Sequence, residues 1–294
     1  SRPNVTTDAA SVCLKSGNAV ILRGGSESLR TNIVLADAMA EAASQHDLPD
    51  HAIQIIRTAD RENVHHLLRM DRYVDVLIPR GGKSLIERVA SESRIPVIKH
   101  YEGICHQYLA ADAPVERAIA VSVNSKCQRV EVCNALETLL VDGQSSERLL
   151  PELKRAFDAE KVTLRGCART RAILPDIETA TEEDWSTEYL DRILSVRIVD
   201  GATEAIEHIN TYGSGHTDGI VTDDIATARR FVAGVDASSV LVNASTRLSG
   251  GGDYGMGAVV GISTDKLHAR GPVGPSELTS YKSVSYTHLR AHET

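Results

Sequence analysis

The stretch AVILRGGSESLRTNIVLADAMAEA, at residues 19–42, contains the pattern on which the fold prediction for this chain is based. Its apolar run at 19–22 is typical of a short strand and ends before two glycines, which favour a turn. Leu35, Met39 and Ala42 then recur at the spacing of an amphipathic helix. The stretch therefore predicts a strand–turn–helix unit.

The same unit repeats further along the chain. Apolar runs at 53–56 and 74–78 predict strands, and helical patterns follow them at 64–68 and 85–89. Strands that alternate with helices in this way favour a parallel sheet covered by helices. An α/β fold is therefore expected.

The alternation continues beyond residue 100 and predicts a second α/β domain. Strands are expected at 135–141, 193–199, 219–221 and 240–242, and helices at 145–158, 202–211 and 224–233. The glycine-rich segment 250–261 favours a loop, because glycine loses much conformational entropy in a regular element.

Composition narrows the class of protein. The chain has 294 residues, of which 42% are hydrophobic and 24% charged, and this is ordinary for a globular protein of two domains. Its net charge of −8 and its scattered lysines and arginines argue against a nucleic acid partner. Its apolar runs are shorter than the ~20 residues that span a bilayer, and the first residues do not form a signal peptide. We therefore expect a cytoplasmic protein without a membrane partner.

The chain has five cysteines without a C-x-x-C pair, which argues against disulfides, and no metal site is expected. Cys133 comes directly before the predicted strand at 135–141, and Lys126 and Arg129 lie shortly upstream. Nearby cations favour the thiolate, which is the form that attacks carbonyl groups. A small buried side chain is the commoner interpretation of such a local pattern, and the pattern leaves both open.

Short strings spread over residues 1–282 point to a known family. They are SRPNVT (1–6), LKSGNAVILRGGSE (14–27), IPRGGK (78–83), VIKH (97–100), CNALETLLV (133–141), DWSTEYL (184–190), YGSGHT (212–217), VNASTR (242–247), GIST (261–264) and KLHARGP (266–272). Together these strings resemble the gamma-glutamyl phosphate reductases, a family within the aldehyde dehydrogenase superfamily.

The resemblance implies an aldehyde dehydrogenase-like α/β fold. A Rossmann-like NADP-binding domain is implied at 1–99, truncated at its N-terminus because family members carry further elements before it. A catalytic domain with the nucleophilic cysteine is implied at 100–265. An interdomain and oligomerisation segment follows at 266–282, and its strand at 278–282 is expected to pair between subunits. Residues 283–294 do not resemble the family ending and are interpreted as a read-through or assembly-derived tail. Full-length members are expected to be homo-oligomers.

The resemblance makes Cys133 the expected nucleophile. Asn4 matches the asparagine whose amide, with the N–H of the cysteine, stabilises the oxyanion, and such a donor is worth ~10²–10³ in rate. A helix N-cap beside Pro3 is the alternative for Asn4. Lys99 stands about where hydrolytic aldehyde dehydrogenases carry a glutamate general base, so its presence suits an enzyme whose thioester must not be hydrolysed. The alternative is that Lys99 merely ends a strand.

NADPH is the implied cofactor and L-glutamyl 5-phosphate the implied substrate. The cofactor-binding candidates are Arg23, Gly24 and Gly25 on the adenosine side, Gly81 and Gly82 near the pyrophosphate, and Glu188 at the nicotinamide ribose. The glycines do not form a complete G-x-G-x-x-G motif. The substrate carries a carboxylate, an ammonium group and a phosphate, which suit cationic and hydroxyl donors. The candidates are Arg129, His216, Thr217, Ser245, Thr246, Arg247 and Arg270.

The implied reaction is the NADPH-dependent reduction of L-glutamyl 5-phosphate to L-glutamate 5-semialdehyde and phosphate, through a thioester on Cys133. This is the second step of proline biosynthesis, and channelling of the substrate from glutamate 5-kinase is a further expectation. Three alternatives stay open. They are the reductase portion of a bifunctional pyrroline-5-carboxylate synthase, a hydrolytic aldehyde dehydrogenase, and a nucleotide-binding module without catalysis.

Overall fold

The computed structural model describes residues 2–60, 62–99 and 101–286. The backbone packs into two compact units. The first contains residues 2–60, together with Ala258–Val260 and residues 273–286, and the second contains the other described residues. The predicted cofactor domain, which extends to residue 99, reaches beyond the first unit. Its functional assignment stays a prediction.

The first unit contains two parallel strands and two helices. Its elements are α1 (Asn4–Lys15), β1 (Val20–Leu22), a 3₁₀ helix (Ser26–Ser28), α2 (Leu29–Ser44) and β2 (Ile53–Ile55). The strands pair in parallel, and Ala10, Leu22 and Ala36 belong to the apolar core of the unit. The predicted strand–turn–helix unit at 19–42 and the strand at 53–56 are confirmed.

The second unit begins with two helices, α3 (Glu62–Leu67) and α4 (Lys83–Glu92). The strand predicted between them at 74–78 is wrong, because the structure has a single parallel bridge there, which joins Leu77 to Val97.

Two prolines explain why this bridge does not extend into a pair of strands. The Leu77 N–H donates to the Pro96 carbonyl at 2.9 Å, and the Ile98 N–H donates to the Leu77 carbonyl at 2.8 Å. In a parallel ladder the next donors on the two sides would be the nitrogens of Pro96 and Pro79. Since proline has no N–H, the ladder stops on both sides.

A seven-stranded parallel sheet forms the centre of the second unit. Its strands are β3 (Cys105–Leu109), β4 (Leu136–Asp142), β5 (Thr163–Gly166), β6 (Glu178–Thr179), β7 (Ile193–Val199), β8 (Thr217–Val221) and β9 (Ser239–Val242). The order across the sheet is β6-β5-β7-β4-β3-β8-β9, and every neighbouring pair is parallel. β3 and β4 are buried along their whole length, which places them at the core.

Helices cover both faces of this sheet. They are α5 (Val115–Cys127), α6 (Ser146–Ala159), α7 (Ala168–Ile173), α8 (Gly201–Tyr212) and α9 (Ile225–Gly234). Phe157 of α6 packs in one apolar cluster with Leu139 of β4, whereas Phe231 of α9 packs in another with Leu140. Successive residues of a strand point to opposite faces, so the two clusters lie on opposite sides of the sheet. The predicted α/β fold with a parallel sheet is confirmed.

The remaining elements are short. They are 3₁₀ helices at Glu183–Ser186, Thr246–Leu248 and Ser276–Leu278, and strands β10 (Gly261–Ser263) and β11 (Gly271–Val273), which form a two-stranded sheet. The strands and helices predicted between 135 and 242 are confirmed within one or two residues at each end, and the loop prediction holds up to Val260.

The last described residues differ from the expectation of an interface strand. Ser276–Leu278 is a 3₁₀ helix, and within the described chain no strand covers 278–282. A strand that pairs between subunits acquires its ladder only from the second subunit, so its formation there stays a prediction. Residues 287–294 of the predicted tail lie outside the described residues. In the part of the chain that is described, no helix has both the length and the apolar character needed to cross a bilayer.

Candidate active site

The candidate site lies at the amino ends of neighbouring strands in the parallel sheet. Gly103 comes just before β3, Cys133 before β4 and Ser214 before β8. These strands are adjacent in the order β4-β3-β8, so the three segments meet at one edge. The Ile104 N–H donates to Ser214 Oγ at 2.9 Å across this edge. The sheet therefore brings together residues that are far apart in sequence.

Cys133, the predicted nucleophile, packs against the backbone of Gly103. A Cβ atom added at Gly103 would lie 1.7 Å from the carbonyl oxygen of Cys133. The thiol of Cys105 donates to the same carbonyl at 3.2 Å. Two contacts from the β3 segment thus hold the backbone of Cys133, and its side chain is partly buried.

The charges around Cys133 act in opposite directions on its thiol. Burial raises the pKa of the Cys133 thiol, and the carboxylate of Glu188 raises it further. The guanidinium charges of Arg80 and Arg247 lower it. The net effect is a raised pKa, so the resting group at neutral pH is the thiol. The two arginines are the groups that favour the reactive thiolate.

Arg247, a predicted substrate residue, is held next to Cys133 by its neighbours. Its Nη1 donates to Asn134 Oδ1, and its Nε donates to Gln128 Oε1 at 3.0 Å. Burial lowers the pKa of Arg247, the charge of Cys133 raises it, and the charge of Arg129 lowers it. Arg129, a second predicted substrate residue, is exposed and adds positive charge in the same region.

Two more predicted substrate residues, His216 and Thr217, belong to a buried polar chain. His216 Nδ1 lies 2.8 Å from Thr217 Oγ1, which lies 2.8 Å from Ser249 Oγ. Asn134 Nδ2 donates to the same Ser249 hydroxyl at 3.3 Å, and Cys105 Sγ lies 4.0 Å from His216 Nδ1. The structure thus links these residues to both segments that hold Cys133.

Ser245 and Thr246 take part in hydrogen bonds that hold the backbone next to Arg247. Ser245 Oγ accepts the Arg247 N–H at 3.2 Å and caps the 3₁₀ helix that follows. Ser125 of α5 donates to Ser245 Oγ at 3.1 Å and accepts the Thr246 N–H at 3.1 Å. These contacts position Arg247, so the predicted direct binding of substrate by the two hydroxyls stays untested.

Arg270, the last predicted substrate residue, is bound by Asp236. Its Nη1 lies 2.9 Å from Asp236 Oδ1, and its Nη2 donates to the Asp236 carbonyl at 3.1 Å. Gly215 lies nearby, since a Cβ atom there would be 3.8 Å from Arg270 Nη2. Its predicted role toward substrate stays a prediction.

Glu188, predicted to bind the nicotinamide ribose, is tied to the site. Its Oε1 accepts the Gly103 N–H at 2.8 Å. Burial raises the pKa of Glu188, and the Gly103 N–H partly offsets this. A cavity of about 350 Å³ lies beside Gly103, and its lining includes Lys83, Glu102 and Ile104. Lys83 Nζ donates to both oxygens of Glu102 at 3.0 Å on this wall.

Gly81 and Gly82, predicted to lie near the pyrophosphate, immediately precede α4. Gly82 is the N-cap residue of this helix, and a Cβ atom at Gly82 would meet nothing within 4 Å. A Cβ atom at Gly81 would lie 2.7 Å from Leu85 Cδ2. The N–H groups of the first helical turn are thus approachable from the side of Gly82, which suits an anion.

The first unit contains the other cofactor-binding candidates. Arg23 Nη2 donates to the Ala59 carbonyl at 3.2 Å, and Arg23 Nε is buried without a partner among the described residues. Gly24 is crowded, since a Cβ atom there would lie 2.0 Å from Asn32 Nδ2, whereas Gly25 has open space around it. Gly25 is the N-cap residue of the 3₁₀ helix Ser26–Ser28.

Asn4, the predicted oxyanion donor, lies in the first turn of α1. The N-cap position is Pro3, so the alternative interpretation of Asn4 as the N-cap is wrong. Its Nδ2 donates to Asp8 Oδ2 at 3.1 Å. The predicted role of Asn4 in catalysis is not tested by these contacts.

Lys99 is paired with Asp265. It stands about where hydrolytic aldehyde dehydrogenases are expected to carry a glutamate general base. Its Nζ donates to Asp265 Oδ2 at 2.7 Å and lies 5.8 Å from the centre of the Tyr101 ring. The amine is therefore engaged in an ion pair. Within the described residues, histidine, cysteine and acidic side chains do not form a group of three that could bind a metal.

Three residues of this site were missed from the sequence. Gly103 precedes and Cys105 begins β3, a strand that apolar periodicity did not reveal, and Arg80 was noticed only as part of a family string. Arg80 could have been singled out in the sequence by its position next to the Gly81-Gly82 pair. Gly103 gave no local signal, because a lone glycine before a strand is more often only a turn.

Comparison with known proteins finds matches over nearly the whole chain. Residues 4–168 match the aldehyde dehydrogenase family. The structure of gamma-glutamyl phosphate reductase from Thermotoga maritima matches with a TM-score of 0.95 at 43% sequence identity, over 99% of this chain and 70% of that one. An acetylating aldehyde dehydrogenase from Geobacillus thermoglucosidasius matches with a TM-score of 0.70 at 20% identity, over 97% and 74%. An engineered glycolyl-CoA reductase with bound NADP⁺ matches with a TM-score of 0.69 at 15% identity, over 92% and 69%. The last two share the fold.

Proposed function

The chain belongs to the aldehyde dehydrogenase family and, within it, to the gamma-glutamyl phosphate reductases, and from this membership we propose that it reduces L-glutamyl 5-phosphate to L-glutamate 5-semialdehyde. The products are the semialdehyde and phosphate, and the enzyme is an NADPH-dependent oxidoreductase of proline biosynthesis. The observation that carries this proposal is the packing of Cys133 against Gly103 at the edge where β3 and β4 meet, with Arg80 and Arg247 as the nearby cations.

Cys133 performs the covalent chemistry. Its thiolate attacks the γ-carbonyl carbon, the C–S bond forms, and the C–O bond to phosphate breaks, so the products of this step are a thioester on Cys133 and free phosphate. Arg80 and Arg247 hold the anionic groups of the substrate and favour the thiolate over the thiol. The backbone contacts from Gly103 and Cys105 keep the nucleophile in place during the attack.

The residues of this chain fit a nicotinamide dinucleotide. In the first unit, the buried Nε of Arg23 has no partner among the described residues, and such a donor suits a ribose phosphate, which favours NADPH over NADH. In the second unit, the open N-terminus of α4 at Gly82 suits a diphosphate. When bound, the dihydronicotinamide would supply the hydride that reduces the thioester carbonyl. The C–S bond to Cys133 then breaks, which releases the semialdehyde and returns the thiolate.

The ion pair of Lys99 with Asp265 favours this reaction over hydrolysis. A hydrolytic aldehyde dehydrogenase needs a general base that activates water, and such a base is worth ~10²–10⁴-fold in rate. Lys99 is a cation bound to Asp265 and does not serve as that base. The thioester therefore survives until it is reduced. Delivery of the labile acyl phosphate by glutamate 5-kinase and assembly into a homo-oligomer belong to the same proposal.

The test runs the reaction in reverse, as the phosphate-dependent reduction of NADP⁺ with glutamate 5-semialdehyde. We expect turnover to require phosphate and to be lost in Cys133→Ala, while NADPH binding, measured by titration of nucleotide fluorescence, is retained. Cys13→Ala is the matched control, because Cys13 lies in the last turn of helix α1 and alanine favours helix.

Three results would contradict the proposal. Turnover that ignores phosphate and forms an acid would identify a hydrolytic aldehyde dehydrogenase. Turnover that persists in Cys133→Ala would exclude Cys133 as the nucleophile. NADPH binding by the unmodified chain without any turnover would favour the non-catalytic nucleotide-binding module.

A further inference from the structure

A fully buried ion pair joins helix α5 to strand β4, the strand that follows Cys133. Lys126 of α5 donates through Nζ to Glu137 Oε2 of β4 at 2.6 Å, and both side chains are 0% exposed. Burial of two charges is costly, and apolar residues of similar volume often stabilise a fold equally well or better. Stability of the fold alone therefore does not account for this pair.

The second oxygen of Glu137 holds the loop that contains Glu188. Glu137 Oε1 accepts the Leu190 N–H at 3.2 Å. Leu190 has a φ of 52°, a left-handed conformation that a branched residue seldom adopts without support from its surroundings. Lys126 Nζ also lies 5.9 Å from the centre of the Tyr189 ring. The pair thus contacts two successive residues of this loop.

The loop in turn contacts the backbone beside the nucleophile. Glu188 lies two residues before Leu190 and accepts the Gly103 N–H at 2.8 Å. Gly103 is packed so closely on Cys133 that a Cβ atom would lie 1.7 Å from its carbonyl oxygen. A continuous set of contacts therefore runs from Glu137 through Leu190, Glu188 and Gly103 to Cys133.

We propose that Glu137, held in place by Lys126, is a positioning residue that sets the location of Glu188 and, through Gly103, that of Cys133. It acts through the acceptor that it offers to the Leu190 N–H and does not touch the substrate. The proposal rests on the proposed function in that Cys133 is taken as the nucleophile. The position of the Cys133 thiol can be measured without turnover.

Two double variants separate this role from a general effect on folding. Lys126→Met with Glu137→Gln removes both charges but keeps an oxygen acceptor for Leu190. Lys126→Met with Glu137→Met removes the charges and the acceptor at similar volume. Urea unfolding of both variants measures stability, and the rate at which iodoacetamide alkylates Cys133, followed by mass spectrometry, measures the position and environment of the thiol. Cys13 in α1 serves as the internal reference thiol.

The expected result is a difference between the two variants at Cys133. A displacement of about 1 Å can change a reaction rate by ~10²-fold. We therefore expect the Met/Met variant to differ from the native chain by ~10-fold or more in alkylation rate and in kcat. We expect the Met/Gln variant to stay within ~3-fold, and the Cys13 rate to be constant. Equal Cys133 rates in the two variants would overturn the proposal, as would rates that follow the urea midpoints and not the presence of the acceptor. Loss of the proposed reaction would appear separately, as a native chain without turnover.

Discussion

The substitution Gly103→Ala tests how closely the backbone beside Cys133 is packed. The added Cβ would lie 1.7 Å from the carbonyl oxygen of Cys133, 2.5 Å from its carbonyl carbon and 2.6 Å from its Cα. All three are backbone atoms, so no side-chain rotation can relieve the overlap. Either the segment that begins β3 or the turn that carries Cys133 must move.

The size of the effect follows from these distances. Ordinary contact begins near 3.4 Å, so the separation of the Cβ from the carbonyl oxygen must grow by about 1.7 Å. Overpacking of this kind typically costs ~1–3 kcal/mol of stability. A displacement of about 1 Å at a catalytic group can cost ~10²-fold in rate. We therefore expect kcat to fall by ~100-fold or more, with a modest loss of stability.

The assay is phosphate-dependent NADP⁺ reduction, with urea unfolding measured in parallel. Gly252→Ala is the control, because a Cβ atom at Gly252 would meet nothing within 4 Å and its φ lies outside the left-handed region. If Gly103→Ala keeps a kcat within ~3-fold of the Gly252→Ala value, the two segments are not as tightly coupled as the contacts indicate, and the reasoning is refuted.

Two further predictions concern charge. Removing the guanidinium in Arg247→Met is expected to raise the pKa of the Cys133 thiol, since the charge of Arg247 lowers it. The KM for phosphate is expected to rise by ~10-fold or more, because a cationic donor is lost. A pH profile of Cys133 alkylation that does not move would contradict this prediction. His208 is buried, and burial lowers its pKa to about 3. The unfolded chain binds that proton near pH 6.5, so stability is expected to fall as the pH is lowered from about 6.5 toward 3. Urea midpoints between pH 7 and pH 4 should show a smaller fall in His208→Phe, and an equal fall would show that other groups dominate.

Apolar periodicity was sufficient to predict strands whose side chains are mostly apolar. The strand predicted at 193–199 is β7, Ile193–Val199, because its apolar residues outnumber its polar ones. β3 was not predicted, although it lies next to the central strand β4, because it contains His106 and Gln107, both 0% exposed. Asp218 Oδ1 accepts the His106 backbone N–H at 2.8 Å and lies 3.2 Å from its ring Nδ1. His106 can be buried because its partner Asp218, which lies far away in sequence, accepts its N–H.

The strand wrongly predicted at 74–78 has a different cause. The apolar run is present, and so are the prolines that interrupt its ladder. Which nitrogens would have to donate depends on the pairing of Leu77 with Val97. Local sequence does not contain that register, and so the effect of Pro79 and Pro96 could not be predicted.

Local patterns and ordered strings of residues were sufficient to predict the alternation of strands and helices, the family, and Cys133 as the candidate nucleophile. The groups that surround that cysteine could be identified only from the folded chain. Gly103, Arg80 and Arg247 lie on separate segments, and the adjacency of parallel strands brings Gly103 to Cys133. The reactivity of a thiol depends on charges and packing within a few ångströms, and such distances are set by how the strands pair.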